Sequence, residues 1–591
     1  MPCMEHLAGI GGYARGTAFV YSGPSHDLSR RKIEDIEAER TRFSVGRDAY
    51  RKELSSCAEE AIRTLEQSTA DIFTAYLDIL DDDSFFDDVL DYMASKHLNV
   101  EAAIQDKMVE VCALFTDTDD EMLRSRASDI ENVCKGLCAH ILGSAENIEL
   151  PGAQDTPVIL FADDLTPADT IRLDKSRLAG FVTQRGSLTS HTAILAKALC
   201  IPAIVGASNI LQHIHNGDPV LLAGQAGRLI ICPTADDESS FLEASKKQRA
   251  REAQFALYAA RSAITIDGHA VQICQNAGDA DSPSSFRSDL CDGVGLLRTE
   301  FLYMSCVLRD HWPDEEEQFS FYRSMAQATA GKELIIRTLD IGGDKQIPYM
   351  DLPKEDNPFL GVRAIRLCLS NRAQFRVQLR AILRAAAYGS IKIMFPMIAT
   401  LEDLLEARAL VEEAARELDQ LGIPYGHNVP IGIMVETPAA VLTSDILACY
   451  SDFFSIGAND LTQYLMAADR GNERLLPYQD FCSPALLRAI KHTVTSAHNQ
   501  GIPVGICGEA AGIPLLTPAW VGLGVDELSM SVSQIPEVKY NVCNIRKSDA
   551  EILAKQAIQA SSAQQVRQIM EDYSSRAEIK VNFHTAKGSN L

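Results

Sequence analysis

What is missing narrows the field before any motif is read. No stretch of the 591 residues is long and apolar enough to span a bilayer, which takes about 20 consecutive apolar residues. The opening Met1–Gly12 has neither a basic start nor a long apolar run, so no signal peptide is expected. There is no basic surplus: 55 Lys and Arg face 81 Asp and Glu, a formal net charge of −26. A nucleic-acid binder would show a basic face, so that class is set aside. The 15 cysteines form no CxxC pair. Cys134 and Cys138 are spaced one helical turn apart, but two thiols alone make a poor metal site. Reduced thiols in a cytoplasmic protein are the expectation. No internal repeat is visible.

What is present is a globular composition, 46% hydrophobic and 23% charged, over a length that needs several cores. Between residues 28 and 144 proline is nearly absent, and apolar residues such as Ile72, Tyr76, Ile79 and Leu80 recur at helical steps. This predicts a helical bundle. The run Asp81-Asp82-Asp83 predicts a turn and a helix start, where aspartates cap free N–H groups. From 145 to 233 short apolar runs, Val158–Phe161 and Gly180–Val182, alternate with helical stretches and predict a small α/β domain. The strand-like segment within 1–27 is expected to join it, which makes the bundle an insertion. Residues 234–262 read as a polar linker helix between domains. From 263 to 591 strand-like runs alternate with helices and predict a (β/α)8 barrel. The runs are 293–297, 334–336, 391–395, 431–435, 453–456 and 503–506. The fold class is therefore multidomain α/β, and residues 548–574 read as helical.

In such a barrel the reactive side chains follow the strands. Leu297 leads into Arg298-Thr299-Glu300, and Ile336 into Arg337-Thr338-Leu339-Asp340. Val435 leads into Glu436, Ile456 into Gly457-Ala458-Asn459-Asp460 with Arg470 beyond, and Ile506 into Cys507. Arginine forks suit carboxylate and phosphate. Two carboxylates on neighbouring strand ends suit Mg²⁺, which takes one or two and fills the rest with water and substrate oxygens. The set predicts a pocket for a small acidic phosphate ester with a divalent metal. Taken singly, such an arginine is more often a surface ion-pair partner, and Cys507 a buried small residue. Separately, His191 follows the polar loop Gly186–Ser190 and precedes the helix former Ala193. Free N–H groups at a helix start hold phosphate and favour a neutral, nucleophilic imidazole.

These motifs together resemble enzyme I of the bacterial phosphotransferase system, the phosphoenolpyruvate–protein phosphotransferase family. The matching stretches are 189–196, 293–304, 337–345, 357–366, 432–440, 452–470 and 507–512. The resemblance implies that His191 is the phosphorylated histidine and that Cys507 protonates the enolate carbon to give pyruvate. It implies that Arg298, Arg337, Arg363, Arg470 and Asn459 bind phosphoenolpyruvate, and that Glu436 and Asp460 hold Mg²⁺. It also implies that the 28–144 bundle docks the carrier protein HPr, and that the barrel domain forms a homodimer. The chain departs from the family pattern at Ser187 and Leu188 before the histidine, at Lys197 after it, at Ala458, and at Tyr76, where many members carry histidine.

Two alternatives stand beside this reading. Pyruvate phosphate dikinase and phosphoenolpyruvate synthase share the histidine domain and barrel but need an ATP-binding domain. The segment before the histidine domain is acidic and helical, with no glycine-rich phosphate loop. A partner-binding scaffold that keeps the fold without the activity is the other; the complete set of strand-end residues argues against it.

Overall fold

The computed structural model describes residues 3–576, apart from 5–6, 22–28, 65–72, 74–75, 78, 82, 117–120, 144–156, 166–176, 187–192, 194–195, 197–200, 225, 279–285, 305–310, 343–349, 351–354 and 471. It divides into two compact units, Met1–Lys247 and Gln248–Leu591.

The first unit contains a mixed eight-stranded sheet. Its strands are β1 (Cys3–Met4), β2 (Ala8–Ile10), β3 (Tyr13–Tyr21), β4 (Val158–Ala162), β5 (Leu178–Thr183), β6 (Ala203–Val205), β7 (Pro219–Ala223) and β8 (Arg228–Ile231). The spatial order is β1-β8-β7-β3-β4-β5-β6-β2. The N-terminal segment does return to the sheet: β3 pairs in parallel with β4, Thr17 opposite Val158, and antiparallel with β7, Tyr13 opposite Ala223. Strand β4 is Val-Ile-Leu-Phe-Ala and buried throughout, the unbroken apolar run that a strand covered on both faces needs. One face packs Ile159 and Phe161 with Val182 and Leu222; the other packs Val158 and Leu160 with Leu178 and Phe181.

Between β3 and β4 the chain forms α1 (Ile36–Thr64), α2 (Asp83–Lys96), α3 (Val100–Thr116) and α4 (Glu121–Ile141), so the bundle is an insertion in the sheet domain. Its core holds Phe43, Leu54, Phe73, Tyr76, Phe86, Met93, Ile104 and Leu137. Burial of each such side chain contributes about 1.5–3 kcal/mol. The acidic run ends where α2 begins, as expected. Tyr76 is a core residue whose hydroxyl accepts a hydrogen bond from Asn132 Nδ2 at 3.0 Å. Cys134 and Cys138 are buried and free, and burial pushes both thiols up, Cys138 to about 12. They are inert packing residues.

The polar helix expected after β8 is α5 (Ala235–Ala259). In the first unit its opening turns meet β3, with Arg15 paired to Glu238 at 2.9 Å and Tyr13 edge-on to Phe241. In the second unit its last turns pack Phe255 against Tyr540 and pair Arg251 with Glu537 at 3.7 Å.

The second unit is built on a closed parallel barrel: β9 (Gln272–Ala277), β10 (Gly293–Leu297), β11 (Glu333–Arg337), β12 (Ile391–Phe395), β13 (Ile431–Val435), β14 (Phe454–Gly457), β15 (Val504–Cys507) and β16 (Glu527–Met530). Leu296, Ile335, Met394, Met434, Phe453 and Cys507 pack together in a core of their own. A much larger core joins the strands to the surrounding helices. The helices are punctuated as helix physics requires. Thr400 and Asp403 form a capping box before Leu401–Leu421, and Gly422 closes it at φ +65°. The C-terminal stretch is helical as expected, in two pieces, Lys547–Gln559 and Ala563–Arg576.

Candidate active site

The C-terminal ends of the barrel strands bring four of the expected residues into one chain of alternating charge. Arg337 is the last residue of β11. Its Nη1 lies 2.9 Å from Asp340 Oδ2, and its Nη2 donates to the buried carboxylate of Glu300. The other oxygen of Asp340 accepts from Arg363 Nη2 at 2.8 Å. The same Nη2 lies 3.3 Å from Asp460 Oδ2, and Asp460 Oδ1 accepts from Arg470 Nη1 at 3.0 Å. The order is Glu300, Arg337, Asp340, Arg363, Asp460, Arg470. Burial alone would lower the pKa of Arg337 and Arg363. The facing carboxylates more than reverse this, so both guanidinium groups stay charged.

This buried network leaves hydrogen-bonding groups over. Arg337 Nε, Arg363 Nε, Asn459 Oδ1, Gln463 Nε2 and Glu300 Oε2 are buried with no partner. Unsatisfied buried polar atoms are costly, and a native structure keeps them for a reason. Several are donors beside cationic side chains, which suits an anionic ligand.

Glu436 follows β13 and is fully enclosed. One oxygen accepts the Met397 N–H at 2.6 Å, and the other lies where Gly457 has no Cβ to intrude. Burial first, then the Asp460 and Asp340 carboxylates, push the Glu436 carboxyl well above its ordinary range. Met397 and Ala364 hold φ of +56° and +52°. Strain of this kind at non-glycine residues gathers at working sites. Gly342, at φ +115°, sits where a Cβ would lie 2.5 Å from Arg363 Cβ, so only glycine lets that arginine pass.

Cys507 ends β15 inside the barrel mouth, its Sγ 3.6 Å from the Ile456 carbonyl oxygen. Burial pushes the thiol up to about 11, against the opposing pull of the Ser455 side chain first and then of Arg337 and Arg298. It is therefore a protonated thiol near two cations. Arg298 follows β10, with its side chain over Gly278. Asn459 Oδ1 faces Gly508, directly beyond Cys507.

Family models place the chain. The model for the PEP-binding domain of PEP-utilising enzymes matches residues 252–547, the mobile-domain model 154–227, and the N-terminal model 7–126. The chain belongs to the PEP-utilising enzyme family. The phosphoenolpyruvate-protein phosphotransferase of Haemophilus influenzae is 40% identical over 566 residues, covering 95% of this chain and 97% of that protein. The protein of the same name from Bacillus subtilis is 39% identical over 568 residues (95% and 98%), and that from Geobacillus stearothermophilus 38% over 560 (95% and 96%).

Within this PEP-utilising chain, the strand ends gather Arg298, Arg337, Arg363, Glu436, Asn459, Asp460, Arg470 and Cys507 at one end of one barrel. His191, with Ser187, Leu188 and Lys197, lies outside the described residues. Sequence reasoning missed the roles of Glu300 and Asp340, although both stand in the strand-end segments. It also missed Tyr464, whose hydroxyl accepts from Arg363 Nη1 at 3.2 Å. For the two acids, a carboxylate two or three residues after a strand-end arginine was the available signal, Glu300 after Arg298 and Asp340 after Arg337. Among the described residues no helix is long and apolar enough to cross a membrane.

Proposed function

We propose that the chain is a phosphoenolpyruvate–protein phosphotransferase. It moves the phosphoryl group of phosphoenolpyruvate to a ring nitrogen of His191, passes it to an HPr-like carrier protein, and releases pyruvate. This is the entry step of phosphotransferase-system sugar uptake. The observation that carries the reading is the barrel mouth: an interlocked arginine–carboxylate chain with spare buried donors, beside a protonated thiol.

The roles divide by chemistry. Arg298, Arg337, Arg363, Arg470 and Asn459 hold the phosphate and carboxylate. As the P–O bond breaks and the P–N bond forms, the developing enolate takes a proton on carbon from Cys507 Sγ. A thiol near 11 keeps that proton at neutral pH. Glu436 and Asp460 fit Mg²⁺ on an observation independent of family. Burial first, and then the Asp460 and Asp340 carboxylates, destabilise Glu436 as an anion, which a nearby divalent cation relieves. Asp460 already meets two arginines, yet a carboxylate offers about four lone-pair positions. When bound, Mg²⁺ supplies charge neutralisation for the transferring phosphoryl group. The 28–144 bundle is the carrier-docking domain, 1–27 with 145–233 the phosphohistidine domain, 234–262 the linker, and 263–591 the substrate and dimerisation domain of a cytoplasmic homodimer. Tyr76, being buried, belongs to the bundle's packing rather than to the docking surface.

The test is incubation with labelled phosphoenolpyruvate and Mg²⁺ in the absence of ATP. Acid-labile, base-stable label that is lost in His191→Ala and passes to an added HPr-like carrier is the expected result. A chain that takes no label from phosphoenolpyruvate would overturn the reading.

A further inference from the structure

We infer that Phe359 is a positioning residue that sets the spacing of Arg363 and Arg470, and with it the affinity of the barrel mouth for its anionic substrate. This rests on the phosphoenolpyruvate reading above and names a determinant of binding in that same site.

Phe359 lies in the helical turn Pro358–Leu360, in a segment tied down on several sides. At its neck both oxygens of Glu355 accept the Val362 N–H at 3.1 Å. Arg366 Nη1 donates to the carbonyls of Leu360 and Gly361 at 3.0 and 3.1 Å. The Tyr464 hydroxyl donates to the Phe359 carbonyl at 2.6 Å while accepting from Arg363. The backbone of Phe359 is thus coupled through one hydroxyl to an arginine of the site.

The ring meets the same arginine again, and a second one. Its centroid is 5.8 Å from the guanidinium carbon of Arg363 and 5.3 Å from that of Arg470. Both distances fall within the range of cation–π attraction. The two cations converge on one carboxylate, Arg363 on Asp460 Oδ2 and Arg470 on Oδ1. Like charges brought this close repel. A ring bearing negative charge on its faces offsets that repulsion and restricts two long, rotamer-rich side chains. An aliphatic side chain of similar bulk would fill the same space without doing so. Its neighbour Leu360 is 65% exposed, so the turn sends Leu360 to solvent and keeps Phe359 at the site.

The experiment compares Phe359→Leu, Phe359→Met, Phe359→Tyr and Phe359→Trp in the full chain. It reads KM and kcat for phosphoenolpyruvate-dependent phosphorylation. It also reads phosphoenolpyruvate Kd by calorimetry in the His191→Ala background, where binding is separated from transfer. Leu and Met should each raise KM and Kd about tenfold, the sum expected of two modest cation–π contacts, with kcat changed far less. Tyr and Trp should recover most of the affinity. Leu and Met binding as tightly as Phe, or Tyr and Trp as impaired as Leu, would overturn the role. So would a fall in kcat at constant KM. If Leu does not fold, Met carries the same comparison. An unaltered chain that neither binds nor consumes phosphoenolpyruvate would sink the proposed function and this role together. An active unaltered chain with an indifferent Leu variant sinks the role alone.

Discussion

Asp340 is the carboxylate on which two buried arginines meet, 2.9 Å from Arg337 Nη1 and 2.8 Å from Arg363 Nη2. Replacing it with asparagine changes almost no volume. It removes the charge and turns one acceptor oxygen into a donor that faces a guanidinium. Breaking a buried ion pair from one side costs about 3–5 kcal/mol, because the partner stays buried without its counter-charge. Here Glu300 still faces Arg337, and Asp460 still faces Arg363, so the lower end applies, about 3 kcal/mol. If that loss falls on the geometry that receives substrate, kcat/KM for phosphoenolpyruvate should drop by about two orders of magnitude. The assay is pyruvate release at subsaturating phosphoenolpyruvate with Mg²⁺ and carrier present. Thermal unfolding of the same samples should show a lower transition for the barrel. An Asp340→Asn protein with kcat/KM within about threefold of the unaltered chain would refute the reasoning. Glu300 and Asp460 would then suffice to hold the arginines.

Other substitutions read out separate parts of the site. Cys507→Ala should slow pyruvate formation at least about a hundredfold while phosphoenolpyruvate Kd changes little, since acid catalysis of this kind is worth about 10²–10⁴; normal turnover would remove the acid role. With the thiol at about 11, the rate of Cys507 alkylation mapped by mass spectrometry should still climb about tenfold per pH unit between pH 7 and 9, and a plateau with its midpoint in that window would contradict its assignment as a neutral acid. Arg298→Lys keeps the charge and loses the fork, so substrate binding or turnover should fall markedly; a neutral result means this arginine is no clamp. Glu527, inside the barrel near Lys392, Glu333 and Asp292, is pushed up to about 7, chiefly by burial. A carboxyl raised above its unfolded value of about 4.3 has its full stability below that value and loses it as pH rises through 7, so Glu527→Gln should gain over the unaltered chain by up to about 3 kcal/mol above pH 8. Urea melts at pH 5 and pH 8 in which the difference does not widen would reject that account.

Most of the barrel was legible because its strands are apolar runs followed by polar tails. Two strands were not. In β9 and β16 the residues include Asn276, Glu527 and Ser529, with Ser529 Oγ donating to Asn276 Oδ1 at 2.6 Å. Polar residues in the barrel interior break the apolar run that marks a strand in sequence. The break in the C-terminal helix was hidden for a different reason. It contains no glycine or proline, only Ala560-Ser561-Ser562, and Ser562 Oγ caps the following helix by accepting the Gln565 N–H at 3.2 Å. Arginines at strand ends could be read as anion binders. Their pairing could not, because Arg363 reaches back 23 residues to Asp340 and forward 97 to Asp460, separations with no period to betray them.

The alternating order of the chain resolves a conflict in the chemistry. A site that binds a multiply charged anion away from water needs several cations close together, and those cations repel one another before the substrate arrives. Placing Asp340 between Arg337 and Arg363, and Asp460 between Arg363 and Arg470, offsets each repulsion at its source. The arginines are then fixed in advance, and preorganised charge costs nothing to reorient during reaction. What remains for the substrate includes the donors these pairs do not use, among them the ε-nitrogens of Arg337 and Arg363. The carboxylates therefore need not be expelled for the anion to bind. Because each link fixes its neighbours, substitutions at two links act on one structure, and their effects on phosphoenolpyruvate binding should not add.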